Sequence, residues 1–220
     1  MKAKIKKKMG CLHAHHSNIA YIQQALASDD RELVHFVEPG LLMRLSSDAE
    51  FNVKHAQDKV IEQLEWIART KVDSILITCT NYIALLKESR LTTSIPILKM
   101  DEPYFRYLCG LEERHILLFT NPATVDGTMK RLNEYAAAQG KEHSPFEIHV
   151  IENAFGFIMQ GEKEIYDRII TDYISELLVN DRKQSISVAQ LSMVDAAQKA
   201  ELEWAVPIGN PLKTLVAQLG

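Results

Sequence analysis

The chain reads as an α/β protein built from two similar domains, each a parallel sheet flanked by helices. Three observations predict this. Short apolar runs alternate with longer amphipathic ones from end to end, the signature of successive βαβ units. The alternation falls into two halves of like order: strand, helix, strand, long helix, then a strand ending at a polar turn. The halves also share a spacing. Pro96 lies 17 residues after Cys79 and Pro207 lies 17 after Gln190, which aligns "LITCTN" with "SVAQLS" and sets Gln190 opposite Cys79.

The elements follow in order. "MGCLHA", "LVHFVEP", "SILITC" and "IPILKM" read as strands of the first half, and "HILLFT", "FEIHVIE", "SISVAQ" and "AVPIG" as strands of the second. Helical periodicity fills the intervals as "NIAYIQQALA", "VKHAQDKVIEQLEWIART", "VDGTMKRLNEYAAA" and "GEKEIYDRIITDYISELLV". The last helix, "NPLKTLVAQL", is expected to return to the first domain. The predicted domains are therefore residues 1–100 with 209–220, and residues 101–208.

Composition narrows the function classes. The apolar fraction is 46%, the charged fraction 25% and the net charge −4, so no basic surface points to nucleic acid. Nothing approaches a membrane-spanning apolar run. The lysine-rich start, "MKAKIKKK", is followed by no apolar stretch of signal-peptide type, so a cytoplasmic location is expected. Three cysteines, Cys11, Cys79 and Cys109, match neither a zinc motif nor a disulfide framework. Cys11 and Cys109 read as small buried hydrophobes.

In an open parallel sheet the ligand lies beyond the carboxyl ends of the strands. The turns there are "HAHHSN", "CTN", "TNPAT" and "QLS", and two facing domains would bring them to one cleft. Cys79 leaves its strand directly into a helix start, whose N–H groups and dipole would favour a thiolate below the usual thiol pKa of about 8.5. A thiolate there can act as a nucleophile or as a base beside a carbonyl. His13, His15 and His16 suggest metal, but no Cys, Asp or Glu flanks them, and the reading adopted has no metal. Ser17 and Asn18 are instead expected to cap the following helix and to contribute to substrate binding, with one histidine turned to the cleft. In "FTNPATVDGT" the Thr and Asn side chains can cap a helix or bind a carboxylate. Asp101 and Glu102 form an acidic pair suited to a helix N-terminus.

These residues resemble the aspartate/glutamate/hydantoin racemase superfamily along most of the chain. "ILITCTNYI", "LLFTNPATV" and "SVAQLSMVDAA" carry the resemblance in that order, and "HFVEPGLL" is similar to an uncharacterised branch. The resemblance implies two Rossmann-like domains related by a pseudo-twofold axis, no cofactor, a small carboxylate held between the domains, and a possible homodimer. It also implies one thiol on each side of a carbon beside the carboxylate. Cys79 matches the first. Thr80 and Asn81 match its carboxylate-holding neighbours, and Thr120 and Thr124 match the anion-binding turn of the other domain.

The second cysteine is absent. The repeat register puts Gln190 in its place, with Ser192, two residues on, as the other residue that could face Cys79 and an expected substrate-binding hydroxyl. A glutamine amide is no acid or base near neutral pH. The expectation is thus a racemase- or isomerase-like enzyme on an amino acid or hydantoin, with Cys79 as acid/base, Gln190 as hydrogen-bond donor and His13 as candidate second base. Decarboxylation, cis-trans isomerisation and carboxylate binding without turnover are the alternatives. Membrane and nucleic-acid partners are not expected.

Overall fold

The computed structural model describes residues 6–141 and 146–219. The first five residues of the lysine-rich start lie outside them. The chain divides into two compact units, the first running to Asp101 and the second from Glu102 to Leu219.

The first unit runs β1 (Lys7–His13), α1 (Asn18–Leu26), β2 (Arg31–Val37), α2 (Gly40–Ser47), α3 (Val53–Ala68), β3 (Ser74–Ile77), α4 (Thr80–Leu85) and β4 (Ile97–Lys99). All pairings are parallel, in the order β2-β1-β3-β4, with Leu12 beside Ile77. The central strands β1 and β3 are covered on both faces and so read as continuous apolar runs rather than alternating ones. Helix α3 lays Ala56, Val60, Leu64 and Ile67, one stripe at helical spacing, on the core with Leu12, Ile75 and Ile77. Asn52 fixes its start by accepting the Lys54 and His55 N–H groups. The close approach of helix to sheet requires Gly10, where a Cβ would stand 2.7 Å from the Ile67 side chain.

Helix α5 (Asp101–Leu108) opens at the boundary. The second unit continues with β5 (His115–Phe119), α6 (Val125–Ala138), β6 (Phe146–Val150), α7 (Ala154–Met159), α8 (Lys163–Asn180), β7 (Ser185–Val188), α9 (Val194–Trp204), β8 (Ile208–Gly209) and α10 (Pro211–Leu219). Its sheet is again parallel, in the order β6-β5-β7-β8, so the topology of the first unit repeats. One face packs Tyr166, Ile170, Ile174 and Leu178 of α8, and three alanines of α9, against Ile116, Leu118, Ile186 and Val188. The other face packs Tyr104, Phe105 and Leu108 of α5 with Leu132 and Ala136 of α6.

The eight predicted strands are all present. Helices α2 and α7 are additions, too short for their periodicity to stand out. The predicted return of the last helix to the first domain is corrected, because α10 groups with the second unit. Its start is fixed there: Asn210 Oδ1 accepts the Lys213 N–H at 2.9 Å, and the Lys213 ammonium pairs with Glu201 of α9.

Candidate active site

Cys79 stands two residues beyond β3 and is the residue that caps α4. Its backbone is extended, and its carbonyl accepts the Ile83 N–H at 3.1 Å. The backbone N–H groups of Asn81 and Tyr82 at the start of α4 act in favour of the thiolate, although the Cys79 side chain takes no capping hydrogen bond. Burial outweighs them, the Asp101 carboxylate acts in the same sense as burial, and the thiol is pushed above its ordinary range. This corrects the expectation of a thiolate favoured by the helix start. Helix α4 is only six residues long and supplies little dipole, while the half-buried setting and the nearby Asp101 charge act against ionisation. Cys11 and Cys109 are buried as expected, and burial takes Cys11 to about 12.

The turn is held from below. Tyr82 is fully buried and donates its hydroxyl to the Glu38 carbonyl at 2.5 Å, tying α4 to the turn after β2. Thr80 and Asn81 are half-buried, and their side chains take no hydrogen bond among the described residues. They remain available to a ligand.

The histidine turn differs from its prediction. His13 is fully buried at the end of β1, with Nδ1 2.8 Å from the Thr78 hydroxyl and Nε2 2.9 Å from His35 Nδ1. His35 Nε2 in turn lies 3.0 Å from Gln23 Oε1. A glutamine carbonyl only accepts, so His35 donates from Nε2 and accepts at Nδ1. The Thr78 hydroxyl donates to the Leu12 carbonyl at 3.2 Å, and both His13 nitrogens are engaged whichever of them carries the proton. Burial and the neighbouring His35 lower His13 to about 4. In strand register His13 sits beside Thr78, whereas Leu12 and Ile77 join the cluster that contains Cys79. Side chains alternate along a strand, so His13 belongs to the other face of the sheet. The histidine that was expected to serve as second base is a packed link with both nitrogens engaged.

His15 and His16 are the exposed members of the turn. Ser17 does not cap α1, since its hydroxyl lies 2.8 Å from His15 Nδ1 and its backbone is already helical. Asn18 donates its amide to the Thr78 hydroxyl at 3.4 Å. The cap predicted for this pair is thus replaced by the Ser17–His15 contact within the turn and the Asn18 contact with Thr78 after β3. No group of three or more His, Cys, Asp or Glu suited to a metal ion occurs among the described residues.

In the second unit Gln190 stands two residues beyond β7, the place that Cys79 holds beyond β3. The registers Leu12 to Ile77 and Leu118 to Val188 make the two positions equivalent. The Gln190 carbonyl accepts three hydrogen bonds from the turn after β5: the Thr120 N–H at 2.7 Å, the Thr120 hydroxyl at 2.9 Å and the Asn121 N–H at 3.2 Å. Because Thr120 donates to Gln190, it accepts from the Tyr166 hydroxyl at 3.0 Å. Tyr166 then accepts from Ser192 at 2.8 Å. Burial raises the Tyr166 phenol to about 12, so it keeps the proton this chain of donors needs.

The anion-binding role expected of this turn is altered by these contacts. Thr120 is committed to Gln190, and Thr124 donates its hydroxyl to the Asn121 carbonyl at 2.8 Å. Asn121 caps the turn by accepting the Ala123 N–H at 3.0 Å. Tyr166 and Thr78 are the participants that sequence reasoning missed. Tyr166 sits in the apolar stripe of α8 and reads as core, and Thr78 reads as the end of a strand.

No protein-family model matches the chain, and no curated protein matches it. Solved structures do. The Picrophilus torridus aspartate racemase superposes with a TM-score of 0.66 at 12% identity, over 97% of this chain and 92% of that one. The allantoin racemase from Klebsiella pneumoniae gives 0.65 at 16% identity, over 97% and 86%. A glutamate racemase isoform from Bacillus anthracis gives 0.64 at 13% identity, over 97% and 80%. The chain has the fold of these two-domain racemases.

Proposed function

We propose that this protein is an isomerase of the racemase type, acting on a small carboxylate of the amino-acid or hydantoin class, with Cys79 as the acid/base. The observation that carries the reading is the Cys79 turn: a half-buried thiol at the end of a parallel strand and the start of α4, with the unengaged polar side chains of Thr80 and Asn81 beside it. Those side chains can hold a carboxylate while Cys79 moves a proton at the adjacent carbon. The fold shared with aspartate, allantoin and glutamate racemases supports the substrate class. In this reading the reaction uses no cofactor: the Cys79 thiol exchanges the proton while Thr80 and Asn81 hold the carboxylate.

Gln190 and His13 take no part in proton transfer. An amide does not titrate near neutral pH, and His13 is neutral with both nitrogens engaged. Cys79 is then the single thiol at work. A second reaction, decarboxylation with proton delivery by the thiol, fits the direction in which burial moves the Cys79 thiol, above its ordinary range.

Incubation of the protein with enantiopure amino acids, hydantoins, allantoin and arylmalonates tests the reading, with chiral chromatography and carbon dioxide release followed together. Loss of optical purity that disappears in Cys79→Ser supports the isomerase. Release of carbon dioxide moves the assignment to the decarboxylase. Ligand binding with neither change would leave a carboxylate-binding protein.

A further inference from the structure

The Gln190 amide is oriented by its own unit. Two backbone N–H groups and a hydroxyl converge on one atom of that side chain, and only an oxygen can accept them. The hydroxyl is itself fixed, because Thr120 accepts from Tyr166 and Tyr166 from Ser192. A flip of the amide would set its NH2 against two N–H donors. Its Nε2 takes no hydrogen bond among the described residues, and the residue is half-buried rather than sealed.

Convergent N–H groups of this kind form a natural oxyanion nest. Here a neutral carbonyl of the same chain fills it. We propose that Gln190 is a specificity-determining residue: its carbonyl permanently occupies the nest of Thr120 and Asn121, and its locked NH2 group is the donor that meets an acceptor oxygen of the ligand. This rests on the carboxylate reading above and deepens it. The second unit then recognises an oxygen acceptor through a neutral amide, where an open nest would demand a full anionic charge. Tyr166 and Ser192 are positioning residues that act through Thr120.

Two measurements test the inference. Malonate is titrated into wild type, Gln190→Ala and Gln190→Glu by calorimetry. A fixed donor predicts that Gln190→Ala weakens malonate binding about tenfold, the loss of one charge-assisted hydrogen bond. Gln190→Glu weakens it further, since a carboxylate oxygen replaces the donor. Tighter or unchanged binding by Gln190→Ala overturns the inference, because it means the carbonyl is a displaceable plug whose removal opens the nest.

The second measurement needs no ligand. The side-chain amide of Gln190, followed by nitrogen-15 relaxation, is expected to be as ordered as the backbone and to loosen in Tyr166→Phe. An amide averaged by fast motion in the wild type overturns the lock. If wild type does not bind malonate, the carboxylate reading fails, and the relaxation data still decide the lock on their own.

Discussion

The carbonyl oxygen of Gln190 lies 2.7 Å from the Thr120 backbone nitrogen and 2.9 Å from the Thr120 hydroxyl. The equivalent place in the first unit holds a thiol, Cys79, at the start of α4. One topology thus places two chemically unlike groups at the same strand end. Only one of them can exchange a proton.

The Cys79 thiol is expected to alkylate slowly at neutral pH. Its pKa is raised, chiefly by burial, so the thiolate fraction at pH 7 is smaller than that of an ordinary cysteine. Iodoacetamide labelling of Cys79 should climb with pH through and beyond the usual thiol range, read by peptide mass spectrometry. A catalytic step begun by the thiolate follows the same rise, whereas one begun by the protonated thiol stays flat across the neutral range.

Thr120→Val removes the hydroxyl that joins Tyr166 to Gln190. The buried Tyr166 phenol loses its acceptor, and the Gln190 carbonyl loses one of three donors. A cost of about 1–3 kcal/mol in unfolding free energy is expected, the usual effect of leaving a buried polar group unpaired. Urea denaturation at pH 7 measures it.

Acid should destabilise the fold before its carboxylates titrate. His13 and His115 are both buried, and each is lowered from 6.5 to about 4. Between those values the unfolded chain binds a proton that the folded chain refuses. The stabilisation from each neutral histidine is therefore complete above pH 6.5 and falls as pH drops toward 4. The loss amounts to about 3 kcal/mol per histidine at most. Denaturation midpoints between pH 7 and pH 4 should fall, and the fall should be shallower in His115→Phe.

Gly209→Ala is expected to destabilise the second unit. An added Cβ would stand 2.0 Å from the Ser187 hydroxyl and 2.8 Å from the Tyr107 ring. Ser187 is itself held 2.7 Å from His115 Nε2, so it cannot simply turn away. Overpacking of this kind costs about 1–3 kcal/mol, seen as a lower melting temperature.

Most of the architecture was legible because apolar period and strand length are local properties. β1, β3, β5 and β7 announce themselves as buried runs, and the matched offsets from Cys79 to Pro96 and from Gln190 to Pro207 reveal the repeat. The polar partners were not legible. Nothing local says that His13 pairs with His35 across two strands, or that Tyr166 of a core stripe bonds Thr120. The thiol of Cys79 was misjudged for the same reason. Its helix start is visible in the sequence, but its burial and the Asp101 charge come from distant segments. The last helix was likewise assigned without knowledge of Glu201, whose ion pair with Lys213 ties it to the second unit.

The central claim is that Cys79 exchanges a proton at a carbon beside a carboxylate. Proton NMR in deuterated water tests it most directly, following the α-proton signals of amino acids, hydantoins and small dicarboxylates with wild type and Cys79→Ser. The account predicts that wild type washes out the α-proton of at least one of these compounds and that Cys79→Ser does so at least a hundredfold more slowly, the scale of a lost acid/base group. Exchange that persists at the wild-type rate in Cys79→Ser would contradict it.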